Sequence, residues 1–100
     1  MDKDIVELRE LYTNLKQHYI VNYNQIASGE TAGLYGVNNL TNRDCNNILN
    51  FAQTDYTRQV QLYSTDMDEV FKKDVLFELN AIAKLMKYLG NLQKEQGFEF

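Results

Sequence analysis

The 100-residue sequence contains no proline, no tryptophan and only one cysteine, Cys45. Because proline is the main interruption of long helices, its absence favours helical structure. A single cysteine excludes an internal disulfide and a zinc site built from cysteine ligands, so we expect a protein of the reducing cytoplasm. The sequence also lacks a signal-peptide pattern at its start and any long apolar run, so we predict no membrane association.

Positive charge is also scarce. Ten Lys and Arg residues stand against fourteen Asp and Glu residues, which gives a net charge of −4. A phosphate-binding surface normally carries the opposite sign, so this balance argues against direct nucleic-acid binding. The hydrophobic content of 44% and the charged content of 24% are typical of one ordinary globular domain. The many Asn and Tyr codons are typical of an AT-rich genome, such as that of a low-GC bacterium or its phage.

Three segments carry the apolar periodicity of α-helices. The first is predicted over residues 4–27, with Asp2 or Asp4 as its N-terminal cap. The second is predicted over 42–63, because Thr41 and Asp44 resemble a capping box, and the third over 66–95, after a similar Thr65–Asp68 pair. The stripe of the first helix comprises Ile5, Leu8, Tyr12, Leu15, Tyr19, Asn22 and Ile26, that of the second Cys45, Leu49, Ala52, Tyr56, Gln59 and Tyr63, and that of the third Phe71, Val75, Glu78, Ile82, Leu85, Leu89 and Leu92.

These helices predict a single all-α domain over residues 1–100. The simplest arrangement is a small three-helix bundle, with a glycine-containing loop over residues 28–41; the alternative is a helical hairpin that dimerises through coiled-coil-like heptad seams. On the third helix, Val70, Phe77 and Ala81 lie beside the main stripe and widen its apolar face. We expect this flank to be core, and an exposed docking groove is the alternative.

Few residues could support catalysis or metal binding. His18 is the only histidine and has no Glu-x-x-His spacing, so it is not a recognisable metal ligand. Cys45 lies in the first turn of the second helix, where a thiol can become reactive, but it also lies on the apolar stripe, and we predict a buried structural cysteine. Asp66, Asp68 and Glu69 are explained by helix capping. The sequence therefore predicts no catalytic residue, no cofactor and no metal, and indicates that the protein is not an enzyme.

Two features indicate a binding surface instead. Glu78 interrupts an apolar stripe, so it must snorkel to the helix edge, pair with Arg58 or His18, or fix the register of the helices. Tyrosines recur one heptad apart on the first two helices, and tyrosine is enriched where proteins contact partners. The candidate partner-binding residues are Tyr12, Tyr19, Tyr23, Tyr56, Tyr63, Phe77 and Glu78.

The leading hypothesis is a small acidic helical module that binds another protein, as an accessory or inhibitor protein of a bacterium or phage. The rival hypothesis is a self-assembling subunit of a homo-oligomer or a larger particle. Either way, the expected partner is a protein or a second copy of the chain.

Overall fold

A computed structural model, which describes residues 3–26, 40–63 and 68–95, shows three α-helices. They are α1 (Ile5–Val21), α2 (Asn42–Tyr63) and α3 (Glu69–Glu95). Each helix packs against both of the others, and the described ranges contain no strand. The predicted all-α class is confirmed, and the arrangement is the three-helix bundle.

The first two helices run parallel. The backbone N–H of Lys3, just before α1, donates to Asp44 at the start of α2, and Lys16 late in α1 contacts Asp55 late in α2. The contact partner on α2 thus moves toward the end of α2 as the residue on α1 moves toward the end of α1, so the two helices point in the same direction.

The third helix runs antiparallel to both. Gln93, near the end of α3, donates to Asn46 near the start of α2. Gln59, near the end of α2, donates to Glu78 early in α3. The end of α1, the end of α2 and the start of α3 therefore lie at the same end of the bundle.

The core lies between the three helices and is built from aliphatic and aromatic side chains. Burial of such side chains from water provides most of the stability of a small bundle. Its fully buried members include Tyr19, Leu8, Leu15, Cys45, Ile48, Ala52, Ala81, Ile82, Leu85 and Leu89.

Two of the predicted helix starts are confirmed by their capping hydrogen bonds. The Asp4 carboxylate accepts from the backbone N–H groups of Val6 and Glu7, at 2.7 and 3.2 Å. At α2 the backbone N–H of Thr41 donates to Asp44 Oδ2, while the N–H of Asp44 donates to the Thr41 hydroxyl, each at 3.1 Å. This reciprocal pair is a capping box.

The start of α3 differs from the prediction. The helix begins at Glu69 and not at residue 66, and the Asp68 carboxylate accepts from the Val70 N–H at 3.1 Å. The Thr65 cap that the sequence suggested lies outside the described residues, as do the glycine-containing loop up to residue 39 and the segment from residue 96 onward.

The end of α1 also differs, and this has larger consequences. The helix was predicted to reach residue 27 but ends at Val21, where the Asn22 side-chain amide donates to the His18 carbonyl at 3.0 Å. After a turn, Lys84 Nζ donates to the carbonyl oxygens of Tyr23 and Ile26 at 2.8 and 2.6 Å. Lys84 of α3 therefore provides hydrogen-bond partners for two carbonyl groups of the segment that follows α1.

Several apolar side chains in the first turns of α3 are exposed, although the sequence predicted them to be buried. Phe71, predicted as a stripe residue, is 59% exposed. On the flank that we expected to be core, Ala81 is fully buried, but Val70 and Phe77 are 64% and 39% exposed. The prediction of a fully buried flank is therefore wrong for Val70 and Phe77. Val70 lies two turns before Glu78, past the end of α1, and Phe77 lies beside the buried stripe of α3, where it contacts only Tyr23 among the described aromatic rings.

Candidate functional site

A cluster of polar and charged side chains lies between the helices, centred on Asp55. The Tyr12 hydroxyl and Lys16 Nζ both lie 2.7 Å from Asp55 Oδ2. Arg58 Nη2 donates to the other oxygen, Oδ1, at 2.8 Å. With only 9% of its side chain exposed, Asp55 needs such donors to remain charged.

Lys16 connects the cluster to α3. Its Nζ lies 2.5 Å from Glu78 Oε1, which also accepts from Gln59 Nε2 at 3.3 Å. The polar cluster therefore connects all three helices, and it comprises Tyr12, Lys16, Asp55, Arg58, Gln59 and Glu78.

The pKa shifts in the polar cluster hold its members in their ordinary charge states. Burial raises the pKa of Asp55, but hydrogen bonds from Lys16, Tyr12 and Arg58 outweigh it, and the net shift is downward. Burial lowers the pKa of Lys16, yet its bonds to Asp55 and Glu78 leave it above the usual lysine value. Burial and the bond to Asp55 raise the pKa of Tyr12. Each shift moves the pKa further from pH 7, whereas a general acid or base needs a pKa close to it.

An open cleft lies between α1 and α2, beside the polar cluster. Its volume is about 650 Å³. Arg9 lies over the Phe51 ring, with its guanidinium carbon 5.3 Å from the ring centre. The principal residues of this α1–α2 cleft are Arg9, Tyr12, Lys16, Phe51, Asp55 and Arg58.

A second surface lies where α1 ends. After the polar cluster, α2 and α3 each continue for about two turns, whereas α1 has little more than one turn left. Apolar side chains of all three helices are exposed between the polar cluster and this end of the bundle. We call the surface the apolar end; it comprises Val21, Val60, Leu62, Tyr63, Val70, Phe71, Leu76 and Phe77.

Three of the candidate tyrosines lie mainly inside the bundle. Tyr19 is fully buried, and Tyr12 is 6% exposed. Tyr56 is half-buried and packs against the core. Tyr12 and Tyr19 therefore belong to the core of the folded chain and not to an exposed tyrosine-bearing face.

The other candidates lie nearer the surface. Tyr63 and Phe77 are 40% and 39% exposed, and both belong to the apolar end. Half-buried Tyr23 packs against Phe77, with ring centres 4.8 Å apart, and lies under the Lys84 ammonium. Of the seven candidate residues, the apolar end thus contains two and contacts a third.

Glu78 is a member of the polar cluster. Its ion pair is with Lys16, so the predicted pairing with Arg58 or His18 is wrong. Arg58 binds Asp55 instead, and His18 lies beside Asn22, with Nδ1 3.3 Å from the side-chain amide.

Of the residues considered for catalysis and metal binding, Asp66 lies outside the described residues. Cys45 is fully buried, as predicted, and burial, with the Asp44 charge in addition, raises the pKa of its thiol to about 11. Asp68 caps α3, and Glu69 is exposed beside Lys72. No group of three or more potential metal ligands occurs in the part of the chain that the structure describes.

Sequence reasoning missed Lys16 and Asp55. The buried residues of α2 include Cys45, Ile48, Ala52, Asp55 and Gln59, which repeat at spacings of three and four. Two of these five residues are polar. Apolar periodicity therefore indicated the neighbouring stripe through Leu49 and Tyr56 as the buried one. Lys16 lies one turn after Tyr12, on the same face of α1. This i, i+4 spacing was the available indication that both side chains could reach one group on another helix.

Comparison with models of protein families, with curated proteins and with solved structures finds no match for this chain. In the described ranges, no helix combines the length and the apolar character that crossing a bilayer requires.

Proposed function

We propose that this protein is a small acidic helical module that binds another protein through its apolar end. One observation carries the proposal: of the ten large exposed apolar side chains among the described residues, eight lie between the polar cluster and the end of the bundle where α1 stops. Apolar side chains gathered at one place on a surface mark contacts with other molecules more often than scattered ones do.

The chemistry of the cluster supports a binding role over an enzymatic one. Tyr12, Lys16 and Asp55 are held in the charge states that they have in water, and the Cys45 thiol is buried and neutral at ordinary pH. A nucleophile or a general base needs the opposite shift. An accessory or inhibitory role would follow from occupying the surface of a partner.

Self-assembly is the second candidate, and the same geometry favours it. The last turns of α2 and the first turns of α3 form a two-helix tip, and no third helix of the described ranges lies beside it. A second copy could supply apolar helices to cover this tip through a symmetric contact.

Photo-crosslinking in the cells that produce the protein tests the proposal. A photoreactive amino acid replaces Val70 at the apolar end, and in a matched control it replaces Lys87, which is exposed further along α3. We expect the Val70 position to give a product with one other protein, and the product to be lost when Phe71→Ser and Phe77→Ser are added.

Other outcomes decide between the candidates. A product of twice the 11.7 kDa chain mass, matched by light scattering of the pure protein, would replace partner binding by self-assembly. No product from Val70, or the same product from Lys87, would overturn the proposal.

A further inference from the structure

We infer that the α1–α2 cleft binds a segment of the partner protein that carries two carboxylates about 10 Å apart. The inference rests on the proposed protein-binding function, but its site is separate from the apolar end. The occupant is an acidic peptide segment that fits the charge, the spacing and the shape of the cleft.

The cleft gathers positive charge in an acidic protein. Arg9 and Arg58 are two of only three arginines in the chain, and Lys16 lies between α1 and α2 with them. The one carboxylate among the lining residues is Asp55, and both of its oxygens already accept hydrogen bonds. The lining therefore has a net positive charge, whereas the whole chain carries −4.

The two arginines retain donors for a ligand. Arg58 uses Nη2 for Asp55 and is 69% exposed, so most of its five N–H groups face solvent. The Arg9 guanidinium lies over Phe51, and within the described ranges no carboxylate pairs with it. Guanidinium groups bind carboxylates in a bidentate geometry, and the aromatic wall holds Arg9 in place without consuming its donors.

The helix geometry sets the spacing. Arg58 binds the same Asp55 carboxylate as Lys16, and Lys16 lies two turns after Arg9, about 10 Å along α1. In a β-strand, side chains three residues apart point to opposite faces, whereas in the polyproline II conformation they lie on the same side, about 9 Å apart. A Glu-x-x-Glu segment in polyproline II conformation therefore matches the two arginine positions.

The shape favours a peptide over a compact small molecule. The cleft is partly open to solvent, and exposed Val21 and Leu62 lie one turn beyond Gln17 and Arg58, on the same helix faces. A chain seated on the arginines could continue over these apolar side chains toward the apolar end. The cleft and the apolar end would then contact one partner.

Titration of the ¹⁵N-labelled protein with a blocked hexapeptide, Gly-Glu-Phe-Ala-Glu-Gly, tests the inference, because it needs no natural partner. We expect the Arg9 and Arg58 side-chain resonances and the Phe51 amide to shift, and the shifts to shrink as salt is added. Arg9→Gln should weaken binding about tenfold, the effect of losing one charge-assisted contact. Lys87→Gln makes the same charge change on α3 and should leave binding unchanged.

A peptide with Gln in place of both Glu residues is the matched ligand control. Equal binding of the Glu and Gln peptides, equal weakening by Arg9→Gln and Lys87→Gln, or no shift of the cleft resonances would each overturn the inference. A failure here would leave the crosslink from Val70 unaffected. Loss of that crosslink with the peptide still bound would instead refute the apolar end as the contact surface.

Discussion

At the scale of single residues, Asp55 is the centre of the polar cluster. It accepts hydrogen bonds from Tyr12 and Lys16 on α1 and from Arg58 on its own helix. A nearly buried carboxylate is costly unless such donors compensate for its lost hydration. The same residue type on the surface would contribute little.

Asp55→Asn tests this role. The amide keeps the shape but removes the charge that Lys16 and Arg58 neutralise, so we expect the free energy of unfolding to fall by about 2–3 kcal/mol. Urea unfolding measures the change. Asp74→Asn, on the exposed face of α3, is the control and should change stability by less than about 0.5 kcal/mol. Equal effects of the two substitutions would show that Asp55 is not a structural centre.

Cys45 is the second residue whose environment makes a definite prediction. It is fully buried, and its thiol has a raised pKa of about 11. Cys45→Ser places a hydroxyl in an apolar site and should cost about 1–3 kcal/mol, with binding of the folded protein retained. Thiol labelling of the native protein at neutral pH should be slow. Rapid labelling, or loss of binding without loss of stability, would mean that the thiol has a role beyond packing.

At the scale of the helices, α3 contains a glycine that the fold does not require. Gly90 lies inside α3, and a Cβ atom built there would meet no atom of the described residues within 4 Å. Because glycine lowers helix stability through its backbone freedom, Gly90→Ala should raise the free energy of unfolding by about 0.5–1 kcal/mol. Thermal unfolding followed by circular dichroism measures this. A loss of stability would indicate that another chain or segment approaches the helix closely at Gly90.

The sequence predicted the helices better than their ends and their contact faces. The capping residues Asp4 and Thr41 mark helix starts in a local pattern, so these starts were predictable. The segment after α1 is bound by Lys84, far away in sequence, which donates to the carbonyls of Tyr23 and Ile26. Local periodicity contains no information about such a contact.

The polar cluster was harder to predict for a related reason. In a sequence, buried positions are recognised by their apolar character. Asp55 and Gln59 escape this criterion because they are buried polar residues on the inward face of α2. Glu78 was identified because it interrupts an apolar stripe, but its partner Lys16 depends on how the helices face one another. The packing of the three helices sets this pairing, and the pattern within each helix does not.

At the scale of the whole molecule, the buried groups predict how stability depends on pH. The lowered pKa of Asp55 stabilises the fold above the ordinary aspartate value of about 3.9, and this contribution is lost as the pH falls further. The raised pKa values of Tyr12, Lys16 and Cys45 act in the other direction. Their contributions are complete below the ordinary values and are lost as the pH rises, for Cys45 between 9.0 and about 11.

Urea unfolding at a series of pH values tests these signs. We expect a plateau from about pH 5 to about pH 8.5, with loss of stability on both sides. Cys45→Ala should reduce the alkaline loss, because it removes one of the three groups that titrate there. Stability that increases between pH 9 and pH 11 would contradict the assigned environments.

The apolar end gives the molecule its proposed function, and it can have that role only if its side chains are surface in the isolated chain. The most direct measurement is the unfolding free energy of Phe71→Ser beside that of Leu85→Ala. Leu85 is fully buried, and its truncation should cost about 2–5 kcal/mol. We expect Phe71→Ser to cost less than about 1 kcal/mol, because that ring is 59% exposed. A cost for Phe71→Ser as large as that for Leu85→Ala would mean that the apolar end is core, and would contradict the proposed binding surface.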